Sequence, residues 1–236
     1  MLRMLDVRYK RDSAFSYTCR ACSRCCHDKI IQLNPYEVAR LAQNRGISTT
    51  EFLARYTERS GTALRRVEKG ACIFLTPQGC AVHFDRSLVC RLYPLGRHVT
   101  SERGEEFREV QPHPETEGEY DANSTVQAFL DRQDAGPFIE AADAYAELVG
   151  RLSHALCEQV EDHARFTDDM QAALAESGEE EQGSHVPDWL DMDRTVERFC
   201  TEQRLPFPRN MTEKMPVHIR AMETGLLGQP DTRKEE

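Results

Sequence analysis

Residues 18–28, TCRACSRCCHD, place four cysteines within eight positions. Two CxxC units overlap at Cys22, so Cys19, Cys22 and Cys25 lie at the spacing with which a short loop directs thiolates at one metal ion. Cys26 follows directly, and neighbouring side chains are expected to diverge. This stretch therefore predicts metal ligation, either at two close centres or at one polynuclear cluster.

Three more cysteines continue the array after a gap, at Cys72, Cys80 and Cys90. Structural zinc sites take four thiolate or imidazole ligands, and iron–sulfur clusters take four thiolates at similar spacings. The pattern does not separate zinc from an iron–sulfur cluster. Buried core cysteines or a thiol-redox motif are the alternative, but a core does not require polar residues such as Arg20 and Arg24 between its thiols.

Composition narrows the class of protein. The chain has 236 residues, enough for a substantial core without disulfides, and its nine cysteines are an odd number. A net charge of −10 argues against a nucleic-acid partner. No run of about 18 apolar residues predicts a membrane span, and the first residues lack a signal-peptide core. We expect a cytoplasmic protein in a reducing compartment, with metal ions as ligands and with room for a protein partner.

The predicted fold class is α+β and mainly helical: a small cysteine-rich metal-binding domain with hairpins, followed by a long helix. We expect this domain over residues 1–175. An acidic linker follows over 176–187, and a C-terminal helix with a flexible tail over 188–236.

Local signals place the elements. Asn34 and Pro35 begin one helix that Gly46 ends, and Ser48 with Glu51 begins a second helix. Further elements are predicted from turn residues and apolar spacing: a hairpin about residues 76–79, a strand pair over 97–110, a short helix capped at Asn123, a long helix from Pro137 and a last helix over 188–203.

Several separated blocks resemble the YkgJ-type cysteine-cluster proteins, whose CxxCxxCC domain is named for zinc or iron chelation. The blocks are the four clustered cysteines, CIFL at 72–75, GC at 79–80 and RSLVCRLYPL at 86–95. The resemblance covers roughly residues 15–150 and implies metal binding. Members are also labelled iron–sulfur oxidoreductases, and a related module occurs in flagellin lysine methylases.

The chain departs from that family at three places. His83 stands where members commonly have tyrosine, and Ser87 where they often have proline. Members also carry a cysteine after the RLYPL block, whereas this chain has His113 in a proline-flanked loop. Seven cysteines are one donor short of two four-coordinate sites. The resemblance therefore implies His113 as the eighth ligand, with a water or His27, His83 or His98 as alternatives.

The remaining candidate residues give weaker evidence for a metal site. Cys157 and Cys200 lie on predicted helices and are expected to be buried thiols. His27 is expected as a ligand or a donor to a sulfur, and His83 and His98 as strand-edge residues. Arg91 is expected either to neutralise thiolates or to lie at the surface.

No catalytic motif is present, so whether the protein is an enzyme stays open. The hypotheses are a metal-chelating module, an iron–sulfur redox or electron-transfer protein, and an accessory module of a modifying enzyme such as a protein lysine methylase.

Overall fold

The computed structural model describes residues 4–20, 22–161 and 188–227. The helices are α1 (Pro35–Arg45), α2 (Thr49–Tyr56), α3 (Leu88–Leu92), α4 (Val126–Arg132), α5 (Gly136–Glu161), α6 (Met192–Gln203) and α7 (Met211–Leu227). The strands are β1 (Met4–Tyr9), β2 (Ala14–Thr18), β3 (Thr57–Glu58), β4 (Ala63–Leu64), β5 (Leu75–Thr76), β6 (Gly79–Cys80), β7 (Leu95–Thr100), β8 (Gly104–Val110) and β9 (Glu119–Thr125). The α+β class is confirmed.

Helix α1 begins and ends as its sequence predicts. The Asn34 side chain accepts the Glu37 N–H, and the Glu37 carboxylate accepts the Asn34 N–H, which forms a capping box. Gly46 ends the helix at φ 67°, a left-handed conformation that glycine adopts without strain. Ser48 caps α2 by accepting the Glu51 N–H. These caps fix the two helices that flank the cysteine loops.

The sheets are small and antiparallel. Strands β1, β8 and β7 form one sheet in that order, and β2 pairs with β9. The hairpin of β5 and β6 and the strand pair of β7 and β8 confirm two predictions. The partners β1 and β9 were not predicted. The short helix α4 is capped by Thr125 and not, as the sequence predicted, by Asn123. Asn123 lies within β9, because the pairing of β9 with β2 extends to Thr125.

Three apolar clusters hold these elements together. The first joins α1, α2 and the β5–β6 hairpin around Phe52 and Phe74, and Cys72 and Cys80 pack against it. The second lies under the β2–β9 pair, around Phe107 and Phe129. The third joins α1 and α5 to the C-terminal helices. The cysteine-bearing loops therefore rest on a substantial core.

The C-terminal part contains two helices, α6 and α7, where the sequence predicted one and a tail. Helix α7 was not predicted because Pro216 interrupts its pattern, yet α7 packs on α5 and α6. Buried Asp191, which caps α6, accepts hydrogen bonds from the hydroxyls of Thr49 and Thr50 at 2.5 and 2.6 Å. This network ties α6 to the start of α2. The predicted linker at 176–187 and the end of the predicted tail lie outside the described residues.

None of the helices in the described ranges combines the length and apolar character that a bilayer span requires.

Candidate metal centre

The CxxCxxCC loop turns sharply before its last two cysteines. Ser23 has a left-handed conformation (φ 62°), and the Cys26 N–H donates to the Ser23 carbonyl at 3.0 Å. This closes a single 3₁₀ turn over Arg24–Cys26. The turn brings the Cys25 and Cys26 side chains into the fold, where both are half-buried.

A backbone bridge joins this loop to the second part of the array. The Cys72 N–H donates to the Cys26 carbonyl at 2.8 Å, and the Asp28 N–H donates to the Gly70 carbonyl at 2.9 Å. Gly70 has φ 72°, a left-handed conformation that glycine adopts without strain, and a Cβ there would displace the Asp28 carboxylate. Cys26 and Cys72 thus become neighbours although 45 residues separate them.

Cys80 enters through the β5–β6 hairpin, which places it opposite Leu75. Gly79 has φ 102°, and the Thr76 hydroxyl donates to the Gly79 carbonyl at 2.8 Å, which closes the turn. The Ala81 N–H donates to the Phe74 carbonyl and fixes the exit from the hairpin. The hairpin is short, and its geometry directs Cys80 towards the CxxCxxCC loop.

Helix α3 carries Cys90 and is held by two buried charged residues. The Glu37 carboxylate accepts the Leu88 N–H at 2.6 Å, which satisfies a free donor at the start of the helix. Arg91 is 2% exposed and donates to the carbonyls of Phe84, Arg86 and Gln133. The expectation of a surface position for Arg91 is therefore wrong, because its guanidinium is buried and donates to three backbone carbonyls.

These elements bring six of the seven array cysteines to the wall of one cavity of about 100 Å³. The six are Cys19, Cys25, Cys26, Cys72, Cys80 and Cys90. We call this the cysteine cavity. Cys22 is half-buried and does not line it. The eight cysteines whose side chains are described are all free thiols.

Cys25 and Cys26 do not diverge as expected. Their thiols are hydrogen-bonded to each other, because the 3₁₀ turn directs both at the cavity. This contact lowers the pKa of Cys25 to about 6, with Lys29 acting in the same direction against the effect of burial. The same hydrogen bond, followed by burial, raises the pKa of Cys26. Burial also raises the pKa of Cys72 and Cys80. Of these four thiols, Cys25 therefore loses its proton most readily, and a bound cation would favour the thiolate form of every cysteine that ligates it.

The donor set suits zinc or iron, since both prefer thiolate sulfur. Among the described residues, however, no group of three His, Cys, Asp or Glu side chains is already arranged to hold an ion. The cysteines line the cavity from separate loops without converging on one point. Ligation would thus require the loops to move inwards, and metal binding and loop ordering would be coupled.

The histidines lie around the cavity in different positions. Of these, only His83 lines it; it belongs to a 3₁₀ turn at His83–Asp85 and not to a strand edge, because residues 81–85 leave the hairpin. His98 lies on β7, as expected of a strand residue. His27 forms an isolated bridge with Ala71.

His113 is exposed and lines a neighbouring cleft of about 540 Å³. We call this the basic cleft; Arg24, His27, Lys29 and Tyr93 also line it. It shares Cys25 with the cysteine cavity. The Nδ1 atom of His113 accepts the Glu115 N–H at 3.1 Å, which leaves Nε2 as the free donor atom. His113 is therefore adjacent to the cavity but not on its wall.

Two other predictions concern thiols away from the array. Cys200 is 1% exposed on α6, as expected of a buried thiol. The side chain of Cys157 lies outside the described residues.

The sequence reading missed Lys29. Its ammonium group lies 3.7 Å from the centroid of the Tyr93 ring, and it lines both the cysteine cavity and the basic cleft. The only available signal was a lysine three residues after the last clustered cysteine, and that does not predict a cation–π contact with a residue 64 positions later.

Comparison with known protein families identifies the segment that carries the cysteine array. Residues 18–115 match the model of the CxxCxxCC family, described as a putative zinc- or iron-chelating domain. No curated protein matches the chain. No solved structure matches it either. The matched segment contains all seven array cysteines, Lys29 and the loop of His113. Residues 18–115 of this chain are therefore similar to the CxxCxxCC zinc- or iron-chelating domain.

Proposed function

We propose that this protein is a metal-chelating protein whose cysteine cavity holds zinc or an iron–sulfur cluster, and that the metal orders the loops of residues 19–110. One observation carries the proposal: six thiols line a single small cavity, and they come from the CxxCxxCC loop, the segment of Cys72, strand β6 and helix α3. Packing alone does not account for this, because an apolar core gains nothing from six adjacent thiols that each retain a polar group.

The proposed ligand set is the seven array cysteines with His113. Cys22 belongs to it because the same loop carries Cys19 and Cys25 at metal-ligand spacing, and a small inward movement of that loop would add its thiol. His113 is the eighth donor, through Nε2, because its cleft shares Cys25 with the cysteine cavity. The domain would then consist of cysteine-bearing hairpins and loops ahead of the long helix α5.

Lys29 supports the electrostatics of such a centre, because its ammonium group favours the thiolate form of Cys25. A set of thiolates concentrates negative charge, and a nearby ammonium group offsets part of it. A reducing compartment such as the cytoplasm would keep these thiols available to metal.

A second candidate function is an iron–sulfur redox or electron-transfer protein. The observation that favours a cluster is the single cavity, since two separate zinc sites would require two groups of donors rather than one. An accessory role beside a modifying enzyme such as a protein lysine methylase rests on the sequence resemblance alone.

Metal and sulfide analysis of anaerobically purified protein separates these readings. A colourless protein with about two zinc ions per chain supports structural chelation. A brown protein with iron and acid-labile sulfide supports the cluster. A protein that is folded and carries neither metal after anaerobic purification and reconstitution would refute both.

A further inference from the structure

A third cavity opens beside the cysteine cavity and shares Lys29 both with it and with the basic cleft. It encloses about 550 Å³ between helix α3, strand β7 and helix α5. Its wall is largely aliphatic, with Leu88, Val89, Leu95, Val99, Ala142 and Ala146 among its lining residues. We call it the apolar cleft. Its volume falls within the range of small-molecule sites in proteins, about 300–1,000 Å³.

Four residues line all three of the cavities described above. Cys25, Lys29, Ile31 and Tyr93 belong to the walls of the cysteine cavity, the basic cleft and the apolar cleft. A ligand in the apolar cleft would therefore have one end at the Lys29 ammonium group, beside the Cys25 thiol. The metal centre and the apolar cleft thus share a wall.

Lys29 faces the thiols of the proposed metal centre, which offset part of its charge, but its ammonium group has no carboxylate partner among the described residues. The other cation, Arg97, is paired with Glu105 at 2.5 Å and with Asp143 at 2.6 Å. Among the described residues, no carboxylate forms an ion pair with Lys29, whose ammonium lies on the Tyr93 ring. A half-buried cation in apolar surroundings favours an anionic partner, because water solvates it incompletely there.

The aliphatic surface extends away from that charge. Val89 and Val99 line this cleft and are 49% and 58% exposed, so part of its aliphatic surface is in contact with water. A ligand that matches the cleft therefore has one negative charge at one end and an apolar body that covers this surface.

We infer that the apolar cleft binds a small organic monocarboxylate, with its carboxylate at Lys29 and its alkyl or aryl body along Leu88, Ala142 and Ala146. This assigns a binding site beyond the proposed metal chelation. It does not depend on which metal the cysteine cavity holds.

Calorimetric titration of the full-length, metal-loaded protein with octanoate tests the inference. We expect saturable binding of one octanoate per chain. Octylammonium, with the same tail and the opposite charge, should not bind, and acetate, without a tail, should bind at least tenfold more weakly. Absence of saturable octanoate binding, or equal binding of octylammonium, would overturn the inference.

Two variants locate the site. Ala142→Phe fills the cleft without changing its charge and should abolish octanoate binding, whereas Ala144→Phe on the same helix faces away from the lining residues and should retain it. Lys29→Met should weaken binding by about tenfold or more, whereas Lys69→Met, at an exposed lysine, should not.

Metal content is measured on every sample, so that a failure of metal loading is distinguished from a failure of ligand binding. If Lys29→Met loses metal, the Ala142→Phe result decides the inference. If Lys29 serves only the thiolates, Lys29→Met lowers the metal content and the wild-type protein does not bind octanoate, and the inference is wrong.

Discussion

The Glu37 carboxylate on helix α1 accepts the Leu88 N–H at 2.6 Å, and so a buried acid fixes the start of the helix that carries Cys90. Glu37 is 3% exposed and also accepts the Asn34 N–H through its other oxygen. The Glu37 side chain therefore caps its own helix and also positions the proposed ligand Cys90, which lies 53 residues later.

Replacing Glu37 by alanine should destabilise the protein by about 2–4 kcal/mol, because two buried N–H groups lose their acceptor. Release of α3 should also lower the affinity for metal through Cys90. Chemical denaturation and metal retention against a chelator measure the two effects. Gln43→Ala, at an exposed position on the same helix, is the control and should change neither. A Glu37→Ala protein with unchanged stability would contradict the role assigned to this carboxylate.

Stripping the metal should loosen residues 19–110 and leave helix α5 partly formed. If metal binding draws the cysteine loops together as proposed, they lose their support when the metal is removed, whereas α5 packs through Phe138, Tyr145 and Leu148 into the third apolar cluster. Hydrogen exchange or limited proteolysis, before and after verified metal removal, should show protection lost first in the loops. Equal protection in both states would mean that the loops do not need metal.

Cys26→Ser and Cys22→Ser should each lose metal. Cys26 lies on the cavity wall and is hydrogen-bonded to Cys25, so its loss removes a central donor. Loss of metal in Cys22→Ser would support the proposed inward movement of the loop, because Cys22 does not line the cavity. Cys200→Ala removes a buried thiol far from the array in sequence and should keep the wild-type metal count, as should Cys157→Ser. Metal quantified per chain decides each case, and a full count in Cys26→Ser would exclude the cavity as the binding site.

His113→Ala should lower the metal count or weaken the binding of one ion. The histidine is exposed, so its removal should cost little stability in the metal-free protein. Titration of metal into chelator-treated protein provides the measurement. An unaltered count together with unaltered stability would remove His113 from the ligand set and favour water or His83, which lines the cavity.

His218 predicts a pH dependence of stability. Its side chain is fully buried, its Nδ1 lies 2.9 Å from the Tyr145 hydroxyl, and burial lowers its pKa to about 4. The unfolded chain binds this proton with a pKa of about 6.5. Stability should therefore be full above about pH 6.5 and fall by up to about 3 kcal/mol as the pH drops towards 4. His218→Gln should flatten this dependence, whereas His154→Gln, at an exposed histidine, should not. An identical pH profile for His218→Gln and the wild type would contradict this assignment.

Local chemistry made part of this fold predictable. Caps such as Asn34 and Ser48 act within three residues, so sequence spacing alone identifies them. Strand β1 pairs with β8 about 100 residues later, and the sequence of neither strand predicts which strand it pairs with. The same limit applies to the site. Cysteine spacing predicted metal ligation, but the shared cavity depends on the bridge between Cys26 and Cys72 and on the Glu37 contact with α3, both of which are long-range.

The pairing of β2 with β9 affects any attempt to isolate the segment that matches the family model. Strand β2 lies almost wholly before residue 18 and β9 wholly after residue 115, so both fall outside the matched segment except for Thr18. Arg91 also donates to the carbonyl of Gln133, and Leu190 completes the cluster beneath the cysteine loops. A fragment cut at the family boundaries would expose the apolar underside that these elements cover. The segment matched by the family model is thus smaller than the set of elements that pack around it, and we expect fragments for biochemical work to need strand β1 through helix α7.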